Sequence, residues 1–226
     1  MNKGSITSLS FIIELLNPPM RHVVDNTNRL FGELKDIYAN CNRPADNITE
    51  FFSINQTTQE VKRCIIRGDK IIILNNFTSY SLDNFWQTSS CVLKKSVDIL
   101  KIPLFFFRQY TVRLTAVPLK EKDSRIFLGD KVCGFKEAKL KCLGRPLHGC
   151  GIRFVFPPIK NNQSEFLVRV ESLLRDVGRI FLENQARFLA PIQLQEGYLE
   201  HIKRELDETY TFLSDNISDF LMQYNE

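Results

Sequence analysis

The sequence predicts an α+β protein: antiparallel sheets with packed helices, the second half being a four-stranded antiparallel sheet followed by a long C-terminal helix. Three observations carry this. Period-two alternation fills residues 138–188, as in strands with one packed and one wet face. Leu199, Ile202, Leu206, Leu213, Ile217, Phe220 and Tyr224 then recur at three- and four-residue steps, an amphipathic helix. The first half mixes both periods in the order strand, helix, strand, hairpin, helix, strand.

Residues 10–16 read as a strand that ends at Asn17-Pro18-Pro19, because proline cannot donate to a ladder. Val23, Thr27, Leu30, Phe31, Leu34, Ile37 and Tyr38 have helical spacing, and residues 40–46 read as a loop. A short strand is expected over 51–54. Two more, 61–66 and 70–74, flank Arg67-Gly68-Asp69. That tripeptide matches an integrin-recognition sequence, but Gly-Asp between two apolar runs is first a hairpin turn. Ser81 caps a helix carrying Leu82, Phe85, Trp86, Ser89, Leu93 and Val97. The run 104–116, with Phe105-Phe106-Phe107, reads as one strand buried on both faces.

The charged connection 118–130, with a short helix at 124–128, divides the chain into an α+β part, 1–117, and a sheet-plus-helix part, 118–226. In the second part, Ala138, Leu140 and Cys142 alternate with Lys139 and Lys141, and Ile152, Phe154 and Phe156 alternate with Arg153 and Val155. Phe166, Val168 and Val170 form a third strand, and Ile180, Leu182 and Phe188 a fourth. The sheet so built has a basic outer face. The final helix starts near Glu196 and buries one stripe against it. Tyr198, Tyr210 and Leu221 widen that stripe, and the same width would serve as a seam between two copies.

Of the 226 residues, 43% are hydrophobic and 25% charged, which excludes a disordered chain, and 18 Phe provide for a large core. No run approaches the ~20 apolar residues of a membrane span. The apolar N-terminal run is broken by Glu14, unlike a signal peptide, so the protein is expected in the cytoplasm with no membrane partner. Residues 195–226 hold eight acidic and two basic residues, while 94–153 hold 14 basic and five acidic. An acidic helix beside a basic sheet accounts for this internally; a basic surface for an anionic partner is the functional alternative.

Catalytic signatures are missing. The three histidines, His22, His148 and His201, are far apart in sequence, and the six cysteines form no Cys-x-x-Cys pair. Asp207 and Glu208 are adjacent on a helix and point apart, so they are no acid–base pair. Cys142 and Cys150 fall on apolar strand positions, as free core thiols do; Cys133, Cys142, Cys150 and His148 would be the zinc alternative but lack knuckle spacing. Lys136, Lys139, Lys141, Arg145 and Arg153 form the best nucleic-acid surface, though stackable aromatics fall on apolar faces. Arg108 and Tyr110 share a strand face, a pattern able to hold an anion.

Asn17-Pro18-Pro19, Tyr80 with Trp86, and the Arg113-Leu114 strand give a layout that resembles a sporadically distributed family of uncharacterised prokaryotic two-part α+β proteins. That family's Arg-x-Asn-like strand ending is replaced here by Arg113-Leu-Thr-Ala, and the resemblance implies no catalytic residue. The second half is also similar in topology to the SecB-type chaperone fold, four antiparallel strands and a long helix. This similarity implies grooves that hold an extended client. The expectation is therefore a non-catalytic, cofactor-free binding protein, a protein-interaction or chaperone-like adaptor of a prokaryotic or phage setting. Its partner, a protein or client, would meet Tyr198, Leu199, Ile202, Tyr210 and Leu221; the alternative is a nucleic-acid-binding protein using the basic sheet face.

Overall fold

Strand β1 (Thr7–Leu16) shows how the chain makes its core: Phe11, Ile13 and Leu15 are fully buried, and Ile12, Glu14 and Leu16 between them are half-buried. The computed structural model describes residues 6–224 apart from 79, 119–120, 137–139 and 161–162. In it β1 pairs on both sides, with β5 (Lys70–Asn76) and with β7 (Phe107–Ala116), both antiparallel.

One antiparallel sheet of nine strands results. Outward from β1 on one side lie β5, β4 (Val61–Arg67), β3 (Ile48–Ile54) and β2 (Asn40–Ala45). On the other lie β7, β10 (Ile180–Phe188), β9 (Ser164–Ser172) and β8 (Gly151–Phe156). The expected division at 117 and 118 thus falls just after β7, which pairs with β10 from beyond it over Arg108 to Ala116. Strands of both parts belong to the same sheet.

Three helices lie on one face. Helix α1 (Val24–Glu33) stacks Phe31 on Phe51 of β3 at 5.4 Å, and α2 (Leu82–Leu100) stacks Phe85 on Phe11 at 5.2 Å. The Ser81 hydroxyl accepts from the Asn84 N–H and caps α2, as the sequence predicts. The C-terminal helix runs Tyr198–Thr211, passes through a π-turn at Phe212–Ile217 and resumes at Ser218–Met222. Its Ile202, Leu206, Leu213 and Leu221 are fully buried, so the apolar stripe is spent on the sheet. The break at Asn17 is built in: buried Asn17 donates to the Gly68 carbonyl of the β4–β5 hairpin, and Met20 N–H donates there as well. A Cβ on Gly68 would lie 2.7 Å from the Met20 carbonyl oxygen, so the Arg-Gly-Asp tripeptide is a packed turn.

Four local expectations change. Residues 40–45 are a strand, because an edge strand needs only one partner and no apolar alternation. The run 104–116 breaks at Phe106, 41% exposed; β6 (Leu104–Phe105) leaves to pair with β11 (Ile192–Gln193). Of the strand expected at 138–142, residues 138 and 139 lie outside the described residues; Lys141–Leu143 form a 3-10 turn, with Gly144 at φ +66° and a helical Leu140 N–H to Lys136 carbonyl bond before it. Alternation over so few residues fits a short turn as well as a strand. Among the described residues, three long strands come from the second half, β8, β9 and β10. Cys142 is exposed and Cys150 half-buried, rather than core thiols.

The sheet and the C-terminal helix are tied by a buried ion pair. Arg108, 1% exposed, donates through Nε and Nη2 to both oxygens of Glu205 at 2.7 and 2.6 Å. Its Nη1 donates to the Ala190 carbonyl, and the Tyr110 hydroxyl donates to Glu205 Oε2 at 2.8 Å. Burial alone would lower the Arg108 pKa; the Glu205 hydrogen bonds and charge override it and raise it. Removing one member strands a buried charge. Glu205→Leu is expected to lower unfolding stability by about 3–5 kcal/mol, and adding Arg108→Met should recover most of that in urea titration.

Burial, ahead of every other cause, pushes the phenols of Tyr38 and Tyr110 well above their ordinary range. A raised folded-state pKa contributes stability that is complete below the unfolded value and lost as pH rises through the folded one. Stability should therefore fall as pH rises beyond about 10, the unfolded tyrosine value, and Tyr110→Phe should flatten that slope. Urea midpoints between pH 8 and 11 check this.

Candidate binding groove

The two ends of the nine-stranded sheet differ in kind. Strand β2 is Asn-Cys-Asn-Arg-Pro-Ala, with Pro44 inside it and a register shift against β3 between Asn42 and Ala45. A proline, an arginine and an irregularity are how an edge is kept from pairing with another chain. Strand β8 is Gly-Ile-Arg-Phe-Val-Phe, with its proline break only afterwards, at Pro157-Pro158. It holds a regular register with β9 from Gly151–Glu171 to Phe156–Phe166. Val155 is 57% exposed, Phe156 37% and Ile159, just past the strand, 66%.

Alternation sends Phe154 and Phe156 toward the C-terminal helix. Phe154 meets Phe220 edge-on at 5.6 Å, Phe156 meets Phe212 at 5.0 Å, and Phe212 also meets Phe166 at 4.6 Å. The π-turn at Phe212–Ile217 contains the ring that both strands share. Beside these rings opens a groove of about 680 Å³. Phe156, Pro157, Ile159, Phe166 and Phe212 give it apolar walls, and Arg204, Asp207, Glu208 and Asn216 line it with polar groups. Asp207 accepts two bonds from Lys203, whose pKa is raised chiefly by that hydrogen bonding. An apolar cleft with a few placed polar groups is the usual form of a recognition site.

A second cleft, about 520 Å³, lies against α3 (Ser124–Ile126) and the π-turn Phe127–Val132. Ile126, Phe135, Leu140 and Leu147 line it together with Asp123 and Asp130. Each carboxylate is paired with a neighbouring cation. Asp123 accepts from Arg125 Nε at 3.0 Å and Nη2 at 2.5 Å, and those bonds hold its carboxyl below the usual range. Asp130 accepts from Lys136 at 3.0 Å. His148 is exposed and does not line this cleft.

The predicted nucleic-acid residues are dispersed. Lys136 is paired with Asp130; Lys139 lies outside the described residues. Lys141 and Arg145 border a shallow depression on the exposed segment before β8. Arg153 alone lies on the sheet face away from the helices, opposite Arg169. That face is charge-balanced rather than basic: Glu183 accepts from Arg113 at 2.6 Å and Arg169 at 3.3 Å, and Arg169 also pairs with Glu171. Of the predicted partner residues, Ile202 and Leu221 are fully buried and unavailable as surface. Tyr198, Leu199 and Tyr210 are half-buried, and Tyr210 tilts against Phe11 at 6.3 Å. The buried Tyr198 hydroxyl has no hydrogen-bond partner among the described residues; burial, then the charges of Asp98 and Glu200, push its pKa up to about 12.

The anion expected at Arg108 and Tyr110 is the chain's own Glu205. Among the described residues no three His, Cys, Asp or Glu side chains gather as a metal site, and no helix is long and apolar enough to cross a membrane. The chain matches no protein-family model and no curated protein. Fold and site define an α+β protein with one large antiparallel sheet, helices packed on one of its faces and a long C-terminal helix.

Glu183 balances the arginines around it. Glu183→Gln is expected to cost about 1 kcal/mol at low ionic strength and less as salt is added. Urea unfolding at two salt concentrations checks it.

Proposed function

We propose that this chain is a non-catalytic protein-binding module that receives an extended segment of a partner or client along β8. The observation that carries the reading is the unequal pair of sheet edges. β2 is blunted by Pro44 and a register shift, whereas β8 is regular, with Val155 exposed on one face and Phe156 lining an apolar groove on the other. A strand added to such an edge gains main-chain hydrogen bonds, and side-chain pockets at alternate positions supply preference. The segment that fits best has aromatic or aliphatic residues at every second position, one of which enters the groove between Phe156, Phe166 and Phe212. A chaperone-like adaptor is the role most in keeping with a site that reads spacing and apolarity.

A permanently unfolded client, reduced and carboxymethylated α-lactalbumin, tests this by fluorescence anisotropy. Ile159 is 66% exposed, so Ile159→Asp should leave stability within about 0.5 kcal/mol. It should weaken client binding about tenfold or more, the loss of one well-placed anchor. No binding by the native chain, or equal binding by the variant, would sink the reading. The competing nucleic-acid reading makes an opposite demand: affinity for duplex DNA that falls steeply with salt and is lost in a Lys141→Glu, Arg145→Glu variant.

A further inference from the structure

Cys133 and Cys150 stand at the two ends of segment 133–150, and both lie against the π-turn Phe127–Val132. Cys133 closes the π-turn Phe127–Val132, its N–H donating to the Leu128 carbonyl at 2.8 Å. Cys150 directly precedes β8 and is fixed from both sides by Ser172, whose hydroxyl accepts from the Cys150 N–H at 3.0 Å and whose N–H donates to the Cys150 carbonyl at 2.8 Å. The charge and hydrogen-bonding capacity of Cys150 act on the Cys133 thiol, as those of a near neighbour. The Cys150 sulfur lies over Gly129 of the π-turn, 3.9 Å from where a Cβ would stand there. Both are free thiols and half-buried, so a small oxidant has access to them. Between them run Phe135, Leu140 and Leu147 of the second cleft, and Lys136, Lys141 and Arg145.

We propose that Cys133 and Cys150 form a reversible disulfide that closes residues 133–150 into a covalent loop and fastens the start of β8 to the π-turn. With a peroxide as oxidant the chemistry balances. One thiol loses its proton, attacks the peroxide and becomes a sulfenic acid, releasing water. The second sulfur then displaces that hydroxyl as a second water, so two thiols and one hydrogen peroxide give one disulfide and two waters. A dithiol reductant restores both thiols by two exchanges. Burial, then the charge and hydrogen bond of Cys150, push the Cys133 thiol up to about 11, so Cys133 keeps its proton at neutral pH and is the second sulfur, with Cys150 attacking first. Fixing the loop also limits how far β8 can peel from β9, independently of what β8 binds.

Dilute native protein treated with hydrogen peroxide, alkylated and digested without reductant tests this by mass spectrometry. The expected result is a monomer lighter by two hydrogens, one cross-linked peptide pair containing Cys133 and Cys150, and its disappearance with dithiothreitol. The exposed Cys91 and Cys142 should remain alkylatable. Cys133→Ser and Cys150→Ser should each abolish the link. If all six cysteines of the native chain stay equally alkylatable, or the link joins any other pair, the proposal is overturned.

Discussion

The bond between Arg108 and Glu205 sets the relation between sheet and helix on which the rest of the molecule depends. Arg108 stands on β7, near the middle of the sheet, and Glu205 on the C-terminal helix; both are withdrawn from water. A guanidinium there has a fixed fork of donors, and only a carboxylate in one position satisfies it. Tyr110 and the Ala190 carbonyl take up further bonding capacity, so the cluster tolerates little sliding of the helix. Asn184 of β10 repeats the device one turn on, donating to the Thr209 carbonyl at 3.0 Å. Buried ion pairs add little net stability over an apolar core, but they penalise wrong registers heavily. Here the register places Phe212 between Phe156 and Phe166 and thereby shapes the groove.

The strand order makes this matter for function. A nine-stranded open sheet has two edges, and each is a template for a further strand. Blunting β2 with Pro44 while leaving β8 regular directs any such pairing to the end where the C-terminal helix supplies aromatic walls. The sheet face away from the helices does not compete, because Arg113, Glu183, Arg169 and Glu171 neutralise one another across neighbouring strands. At the start of that edge Ser172 of β9 holds Cys150 through both its hydroxyl and its N–H.

Much of this is legible in the residues, for definite reasons. The alternation in 166–170 and 180–188, the Ser81 cap, the Gly68 turn and the stripe Ile202, Leu206, Leu213 are local signals with one physical solution each, and all reappear. Strand β2 carries no apolar signal because an edge needs none, and Ala138 to Cys142 carries a signal too short to separate a turn from a strand. Arg108 and Tyr110 are readable as an anion site, but nothing local says that the anion comes from residue 205. The groove is less legible still. Phe156 and Phe212 are far apart in sequence, and their meeting is decided by strand order, which periodicity does not encode.

Amide hydrogen exchange across β8, in the free protein and with a saturating unfolded client, tests the central claim most directly. An edge strand paired only with β9 leaves the outward half of its N–H groups to water, so half the amides of 151–156 should exchange fast in the free protein. On binding, those amides should become protected, with β2 unchanged. Protection that appears elsewhere while β8 keeps exchanging would contradict it.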